Sequence, residues 1–420
     1  MPSVEGVPAR RAALQMLDSI LRRGRTLDSA AQVAKGLQPA DVGLAVAIAG
    51  EVLRRMPDLD RLIDSATRKP LPEDSKARMV LRIALAQKVG LGTPEHALVA
   101  TALPLVDGGP RRLVHGVLGT LLRQGVPAID APRLPEPVER RWNAAWGDDV
   151  VSAARRSIAK RPPLDLTFAD DQQAKAFAST RGGNSLAANH VRLRDAGVVS
   201  ELPGFGEGRW WVQDLAASLP ARLIPRRAAD VLDLCAAPGG KTMQMAASGH
   251  RVTAVDQSES RLKRLRENLE RTGLAATLVT ADALKWETDR TFESILLDAP
   301  CSATGTFRRH PEILYRARPQ IIRDSADIQA RLLARAAEWL TPGGSLIYSV
   351  CSLELEEGEA IVKSFIEKNP GFEISIPSAA ELPDFVTPSP EGWVRILPGL
   401  LESEGGLDGF FVARLVRRAD

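Results

Sequence analysis

The chain has 420 residues, of which 44% are hydrophobic and 25% charged, an ordinary globular composition long enough for two or three domains. Lysine and arginine number 55 against 52 acids, a net charge of +3, which allows a nucleic-acid partner without requiring one. The N-terminal stretch carries Arg10, Arg11, Arg22 and Arg23 and no continuous apolar run, so neither a signal peptide nor a membrane span is expected, and a cytoplasmic location is. The three cysteines, Cys235, Cys301 and Cys351, are too few for a disulfide framework, and no Cys-x-x-Cys or Cys/His cluster suggests a metal.

In chain order, residues 9–125 read as helical. Ala13, Leu14, Leu17, Ile20 and Leu21 recur at helical spacing, as do Leu44, Ala47 and Ile48, then Val114, Val117, Leu118 and Leu121. Asp41 and Thr93-Pro94-Glu95 read as helix starts. The segment serves equally as a helical packing domain or as an RNA-contacting one. In the second case Arg10-Arg11, Arg22-Arg23, Arg54-Arg55 and Arg111-Arg112 supply phosphate contacts.

Residues 126–136 are Pro-rich and polar, a linker. Residues 137–210 read as a small α+β domain, with a helix over 138–159, an alternating strand over 163–168 and a short helix over 171–179. From 211 to 420 strands and helices alternate. Apolar strands are expected at 231–234, 252–255, 276–279, 294–297 and 345–350, helices at 258–271, 321–339 and 356–368, and a closing strand pair at 394–397 and 409–415. Thr341-Pro342-Gly343-Gly344 reads as a tight turn ahead of the fifth strand. The expected fold class is multidomain: an all-α N-terminal domain (1–125), a small α+β middle domain and a C-terminal α/β Rossmann-like domain (211–420).

Ligands of such sheets bind beyond the carboxyl ends of the strands. The first strand runs through Cys235-Ala236-Ala237-Pro238-Gly239-Gly240-Lys241 into a helix, a turn that brings backbone close to a nucleotide-like ligand. It is not a Walker loop, because the glycine that motif needs six residues before the lysine is Cys235. Asp256 ends the second strand at the distance where an acid reaches ribose hydroxyls. Asp282 follows the third, Asp298 and Cys301 follow the fourth, and Cys351 the fifth. One acid at such a place is often a helix cap; this set converging on one rim points to a site.

These segments resemble the Nop/Sun RNA 5-methylcytosine methyltransferases. CAAPGGKT, AVDQSESRLKRLREN and ADALKW are similar to that family's cofactor motifs, and LDAPCSATGTFRRHPEI and YSVCSLELEEGE to its two cysteine motifs. The likeness runs from Gln213 to Leu415. The helical first third is similar, by pattern more than by motif, to the NusB-like RNA-binding domain of the Sun/RsmB branch, whose substrate is 16S ribosomal RNA. The resemblance implies a class I methyltransferase domain, S-adenosyl-L-methionine as cofactor, RNA as partner, no metal, and a monomer. It implies that residues 235–241 line the cofactor, that Asp256 holds its ribose and Asp282 its adenine side, and that Asp298 contacts both cofactor and base. It makes Cys351 the nucleophile and Cys301 the cysteine that helps release the product. Val350 stands where relatives often carry threonine, which removes a hydroxyl beside the nucleophile.

The chemistry is consistent with those roles. Carbon 5 of cytosine is a poor nucleophile until a thiolate adds to carbon 6. An acid must then support the ring nitrogen, and a base must remove the carbon-5 proton. Spacing alone does not choose between the cysteines, since DNA cytosine methyltransferases attack with a Pro-Cys cysteine and only Cys301 follows a proline. Arg308, Arg309, His310, Arg316, Arg318 and Arg323 form the expected RNA path. Two other activities fit the family outline: a non-catalytic RNA-binding or ribosome-assembly protein, whose signature is loss of Cys351 or Asp298, and a cytosine methyltransferase acting on transfer RNA. An amino-group methyltransferase carries an aromatic after paired prolines where Cys301 stands here.

Overall fold

The computed structural model describes residues 5–419; residues 1–4 and 420, which belong to the first and last expected domains, lie outside the described residues. By contacts the chain divides into two compact units: residues 5–161 with Phe307–Arg316, and residues 162–306 with 317–419.

The first unit is helical: α1 (Val7–Arg23), the single turn α2 (Leu27–Ala30), α3 (Pro39–Ser65), α4 (Lys76–Leu91), α5 (Glu95–Ala102), α6 (Gly108–Gln124), α7 (Glu136–Trp146) and α8 (Asp148–Ile158). Helix α1 carries Pro8 in its first turn and stops at Gly24, whose left-handed backbone ends it. Its buried stripe of Ala13, Met16, Leu17 and Ile20 packs in one core with Ile48, Val52 and Leu53 of α3 and Val80 and Leu81 of α4. Two buried arginines of α4 bind acids of α3: Arg78 Nη1 lies 2.9 Å from Asp60 Oδ1, and Arg82 contacts both oxygens of Asp60 at 2.7 and 2.8 Å.

The helix expected over 138–159 is two helices, because Gly147 at φ 82° breaks it. Both belong to the first unit rather than to a middle domain. Trp142 is fully buried with its ring 5.3 Å from that of Phe307, and Arg54 Nη1 donates to Ile158 O at 3.1 Å. The stretch expected as a linker is pinned too: Val126 and Ile129 pack on the core, and Arg133 N donates to Asp58 Oδ2 at 2.7 Å. Phe307–Arg316 leaves the second unit to lie in this one, ending in the helical turn Ile313–Arg316. Its Tyr315 hydroxyl donates to Leu53 O at 2.8 Å, and Glu312 accepts from Leu27 N at 2.9 Å.

The second unit opens with β1 (Leu164–Phe168), α9 (Asp171–Arg181), β2 (His190–Leu193) and β3 (Trp210–Val212), an antiparallel sheet of order β2-β1-β3. Strand β1 does not alternate as expected; four of its five residues are buried, so both faces are covered. On one of them Arg192 makes a two-pronged contact with Asp165 at 2.7 Å on each side, and Asp165 also accepts from Leu215 N. Burial works against that carboxylate, but Arg192 and His190 outweigh it and hold its pKa below the usual range.

The larger sheet follows: α10 (Leu215–Arg222), β4 (Asp230–Leu234), α11 (Gly240–Ala247), β5 (Arg251–Asp256), α12 (Glu259–Thr272), β6 (Thr277–Thr280), β7 (Phe292–Asp298), then, after the helical turn α13 (Ile313–Arg316) of the first unit, α14 (Pro319–Glu338), β8 (Leu340–Val350), α15 (Glu359–Lys368), β9 (Phe372–Ile374), β10 (Val394–Ile396) and β11 (Phe410–Arg417). Its order is β10-β11-β8-β7-β4-β5-β6, with β9 on β11. Strands β4 to β8 run parallel; β11 runs antiparallel to β8 and pairs with β10 as the sequence predicts. The chain starts at β4, moves out to β6, and returns to lay β7 on the other side of β4. That reversal opens a crevice at the ends of β4 and β7.

The expected turn at 341–344 lies inside β8 as a bulge. Phe292 pairs with Leu340 and Ser294 with Ser345, so four residues of β8 face one of β7. Gly343 takes φ 73° there.

Truncating Trp142, which fills the first unit's core against Phe307, should cost about 3–5 kcal/mol. The expected outcome is a lower denaturant midpoint for Trp142→Ala.

Candidate active site

The turn after β4 is shaped by backbone that few residues tolerate. Cys235 sits at φ 60° and Gly239 at φ 105°, and a Cβ at Gly239 would lie 2.0 Å from Leu265 Cδ1 of α12. Helix α11 then starts without a side-chain cap, leaving its first N–H groups for a ligand. Asp256, at the end of β5, holds the turn from below. Its Oδ2 accepts from Ala237 N at 3.1 Å and its Oδ1 from Ser258 N at 2.9 Å, while Arg261 lies 3.6 Å from Oδ2 and donates to Ala237 O. Asp282, beyond β6, caps the next turn by accepting from Leu284 N at 3.0 Å and stays partly exposed.

Asp298 at the end of β7 joins three strands. Its Oδ2 lies 2.6 Å from Lys241 Nζ, on the helix after β4, and its Oδ1 accepts from Ser349 Oγ of β8 at 2.9 Å. Lys241 also stands 5.3 Å from the Phe410 ring centroid. Beneath this pair Asp233 of β4 is wholly buried. Its Oδ2 accepts from Thr242 Oγ1, and its Oδ1 has no hydrogen-bond partner among the described residues. Burial, reinforced by the negative charge of Asp298, raises its pKa to about 7.

The two rim cysteines meet: Cys301 Sγ and Cys351 Sγ are 3.6 Å apart. The hydrogen bond with Cys351, then burial, pushes the Cys301 thiol well above its usual value. Cys235 stands apart from them. Burial and the acids Asp256 and Asp298 raise its thiol to about 12, so it stays protonated.

The loops carrying Cys301 and Cys351 are laced together. Gly305 N donates to Cys351 O at 3.0 Å, Leu353 N to Thr304 Oγ1 at 2.9 Å, and Gly409 N to Gly305 O at 2.9 Å. A Cβ at Gly305 would fall 2.0 Å from Gly409 O, so only glycine permits that approach. Ser302, Ser352, Gln329 and Glu357 form a polar cluster behind the cysteines; three of them lie within the two cysteine motifs, whose resemblance assigns them no role. Glu357 lies in a run with Glu354, Glu356 and Glu359; Glu354 and Glu357 are both buried, and nothing local marks which of them meets the serines.

The expected RNA path is only partly at the surface. Arg309, Arg318 and Arg323 are exposed, but Arg308 is buried and its carbonyl accepts from Arg54 Nη1 at 2.7 Å. Arg10 and Arg55 are buried as well, bound to Gln87 and Glu51 respectively. Arg11, Arg22, Arg23, Arg111 and Arg112 remain exposed. Among the described residues no helix is long and apolar enough to cross a membrane, and no group of three or more His, Cys, Asp or Glu side chains is arranged to hold a metal ion.

An open sheet of this order, with a glycine turn leading into a helix at its reversal point, is the Rossmann-like fold of class I methyltransferases. Similarity to known proteins gives the family. Residues 220–416 match the model of "16S rRNA methyltransferase RsmB/F", and residues 7–123 that of the NusB family. The chain is 32% identical to "Ribosomal RNA small subunit methyltransferase B" of Erwinia tasmaniensis, over 97% of this chain and 98% of that one. It is 34% identical to the protein of the same name from Xanthomonas campestris pv. campestris, over 86% and 88%. The solved structure of PH0851 shares the fold with a TM-score of 0.74 at 22% identity, over 98% of this chain and 99% of that one. The chain belongs to the RsmB/F family of 16S rRNA methyltransferases, with a NusB-family domain at its N-terminus.

The buried Asp233 carries a pH signature. Unfolded, it titrates near 3.8; folded, near 7. Between those values the folded chain keeps a proton that the unfolded chain has lost, so the stability this group contributes is complete below the lower pKa and disappears as pH rises through the upper one. The shift corresponds to on the order of 4 kcal/mol. Asp233→Asn, neutral throughout, should lack this slope when unfolding free energies of the two proteins are compared across the window.

Proposed function

We propose that this chain methylates carbon 5 of a cytosine in RNA, 16S ribosomal RNA being the substrate to test first, with S-adenosyl-L-methionine as donor and in the cytoplasm. The observation that carries the reading is the pair of thiols 3.6 Å apart at the ends of adjacent strands, beside a carboxylate that also touches the turn after β4. The names of the curated relatives support the ribosomal substrate.

The residues fit the cofactor on chemical grounds. Residues 235–241 supply a tight turn, with Gly239 packed against Leu265 of α12, and uncapped N–H groups at α11. Asp256 has one backbone N–H on each oxygen, which leaves lone pairs for ribose hydroxyls, and the partly exposed Asp282 serves the adenine side. Bound S-adenosyl-L-methionine supplies an electrophilic methyl group.

Cys351 adds as thiolate to carbon 6, which makes carbon 5 nucleophilic. As negative charge develops on the ring nitrogen it takes a proton through Asp298, whose partner Lys241 supplies that proton from its ammonium group, with Ser349 holding the carboxyl in place. After methylation a base takes the carbon-5 proton, the Cys351 sulfur leaves carbon 6, and Cys301 assists that release.

The two cysteines separate in one experiment. Cys351→Ala should lose methyl transfer to background without forming adduct. Cys301→Ala should form adduct and fail to resolve it, so that protein cross-linked to RNA accumulates as a nuclease-sensitive slow band on a denaturing gel. The reverse pattern assigns the roles the other way round, and full activity in both variants removes thiol catalysis. Methylation of transfer RNA in place of ribosomal RNA would move the substrate while leaving the chemistry.

Asp256→Ala should weaken S-adenosyl-L-methionine binding in calorimetry by about 1–3 kcal/mol. An unchanged affinity in a folded variant takes Asp256 out of the site.

The NusB-family domain is proposed to bind RNA phosphates through its exposed arginines. Deleting residues 1–125 would also strip the packing from Phe307 to Arg316, so substitution is the cleaner test. Arg111→Ala with Arg112→Ala should lower RNA affinity and flatten its dependence on log salt by about 0.7–0.9 for each phosphate no longer neutralised, leaving cofactor affinity unchanged.

A further inference from the structure

Behind the two cysteines one carboxylate ties both of their loops. Glu357 is fully buried. Its Oε1 accepts from Ser302 N at 2.7 Å and from Gln329 Nε2 at 3.3 Å, and its Oε2 accepts the hydroxyls of both Ser302 and Ser352. Ser302 directly follows Cys301 and Ser352 directly follows Cys351. The far side of the brace is fixed as well: the Tyr348 hydroxyl lies 2.6 Å from Glu357 O, and Gln329 Nε2 is shared with Pro300 O at 2.9 Å. Two N–H groups and two hydroxyls converge on Glu357; burial raises its pKa, and the hydrogen bonds from Ser302 and Ser352 work against that rise.

We propose that Glu357 is a positioning residue for the methyl transfer: by gripping Ser302 and Ser352 with a single carboxylate it sets Cys301 and Cys351 against one another at the base. The inference rests on the reading of the site given above. It touches neither thiol; it acts through the residue next to each. Rotation of either loop would break a hydrogen bond to a buried charge, so the brace resists the small displacements that thiol attack cannot tolerate.

The charge has a second consequence. Cys301 faces Cys351, Glu357 and Tyr348, while Glu354 lies near Glu357 and Arg395 pairs with Glu359. The negative charge of Glu357 is one of the influences that oppose a thiolate at Cys301. The brace thus sets a negative charge beside the thiol pair.

The test uses the full chain and three variants: Glu357→Gln, which keeps the shape and loses the charge; Glu357→Ala, which loses both; and Ser302→Ala combined with Ser352→Ala, which keeps the charge and loses the grip. Iodoacetamide alkylation of Cys301 and Cys351 is followed against pH by peptide mass spectrometry. Thermal melting, S-adenosyl-L-methionine calorimetry and methyl transfer to ribosomal RNA are measured beside it. In Glu357→Gln the Cys301 profile should move to lower pH, with several-fold faster alkylation at neutral pH and unchanged melting and cofactor affinity. In Glu357→Ala and in the double serine variant methyl transfer should fall on the order of 100-fold, the scale of a misplacement of about 1 Å, and Glu357→Gln should recover part of it. The proposal is overturned if Cys301 keeps its profile in Glu357→Gln, if Glu357→Ala methylates like the parent, or if melting and cofactor affinity fall in step with activity. Should Glu357→Ala not fold, the Gln and double serine variants decide. If the parent chain transfers no methyl to RNA the functional reading fails, and the alkylation profiles still decide whether Glu357 sets the two thiols.

Discussion

The ion pair between Lys241 and Asp298 is the contact on which the site depends. Three parallel strands end side by side, each followed by a loop free to go its own way. Asp298 answers that freedom by holding Lys241 after β4 with one oxygen and Ser349 of β8 with the other. The turn after β4 and the two cysteine loops then share one reference point. Lys241 is mostly buried, so the pair gains more from proximity than a surface pair would. Removing either partner would strand a charge in a poorly solvated crevice.

Under that pair lies a carboxyl group that burial keeps protonated up to about pH 7. Asp233 faces Asp298 and Asp256 from inside the sheet, and a third negative charge there would have neither water nor a cation of its own. Thr242 bonds one oxygen, and protonation offsets the remaining cost. Taking one acid out of the charge balance leaves Lys241 to Asp298. The same economy of charge recurs one layer outward, where Glu357 is buried among donors and Arg395 turns to Glu359.

The arginines show how position in the fold overrides composition. A basic pair in a helix reads as a surface feature, yet Arg10, Arg54 and Arg55 serve the first unit as internal hydrogen-bond donors. Arg54 reaches the carbonyls of Ile158 and Arg308, residues distant from it in sequence. Five donors on a planar head suit it to collecting loose carbonyls where chain segments meet. The arginines left to meet phosphate are fewer than the sequence suggests.

The sequence by itself determined the strand–turn–helix at residues 231–242, the parallel order implied by repeated βα units, and the acids and thiols at the strand ends. Those features are local: an apolar run of strand length, glycines where φ must be positive, a polar residue where the run stops. Tertiary structure decided what local signals do not encode. Thr341-Pro342-Gly343-Gly344 has the composition of a turn and became a bulge because β7 continued alongside it. Strand β1 lost its alternation because both its faces were covered. Phe307–Arg316 left the Cys301 loop to lie in the helical unit, where Tyr315 and Glu312 found backbone partners. Of four glutamates within six residues Glu354 and Glu357 were buried, and Glu357 met Ser302, Ser352 and Gln329 behind the cysteines. Period and backbone permissiveness are written in neighbouring residues; which face is covered, and which charge finds a partner, depends on residues brought together from far along the chain.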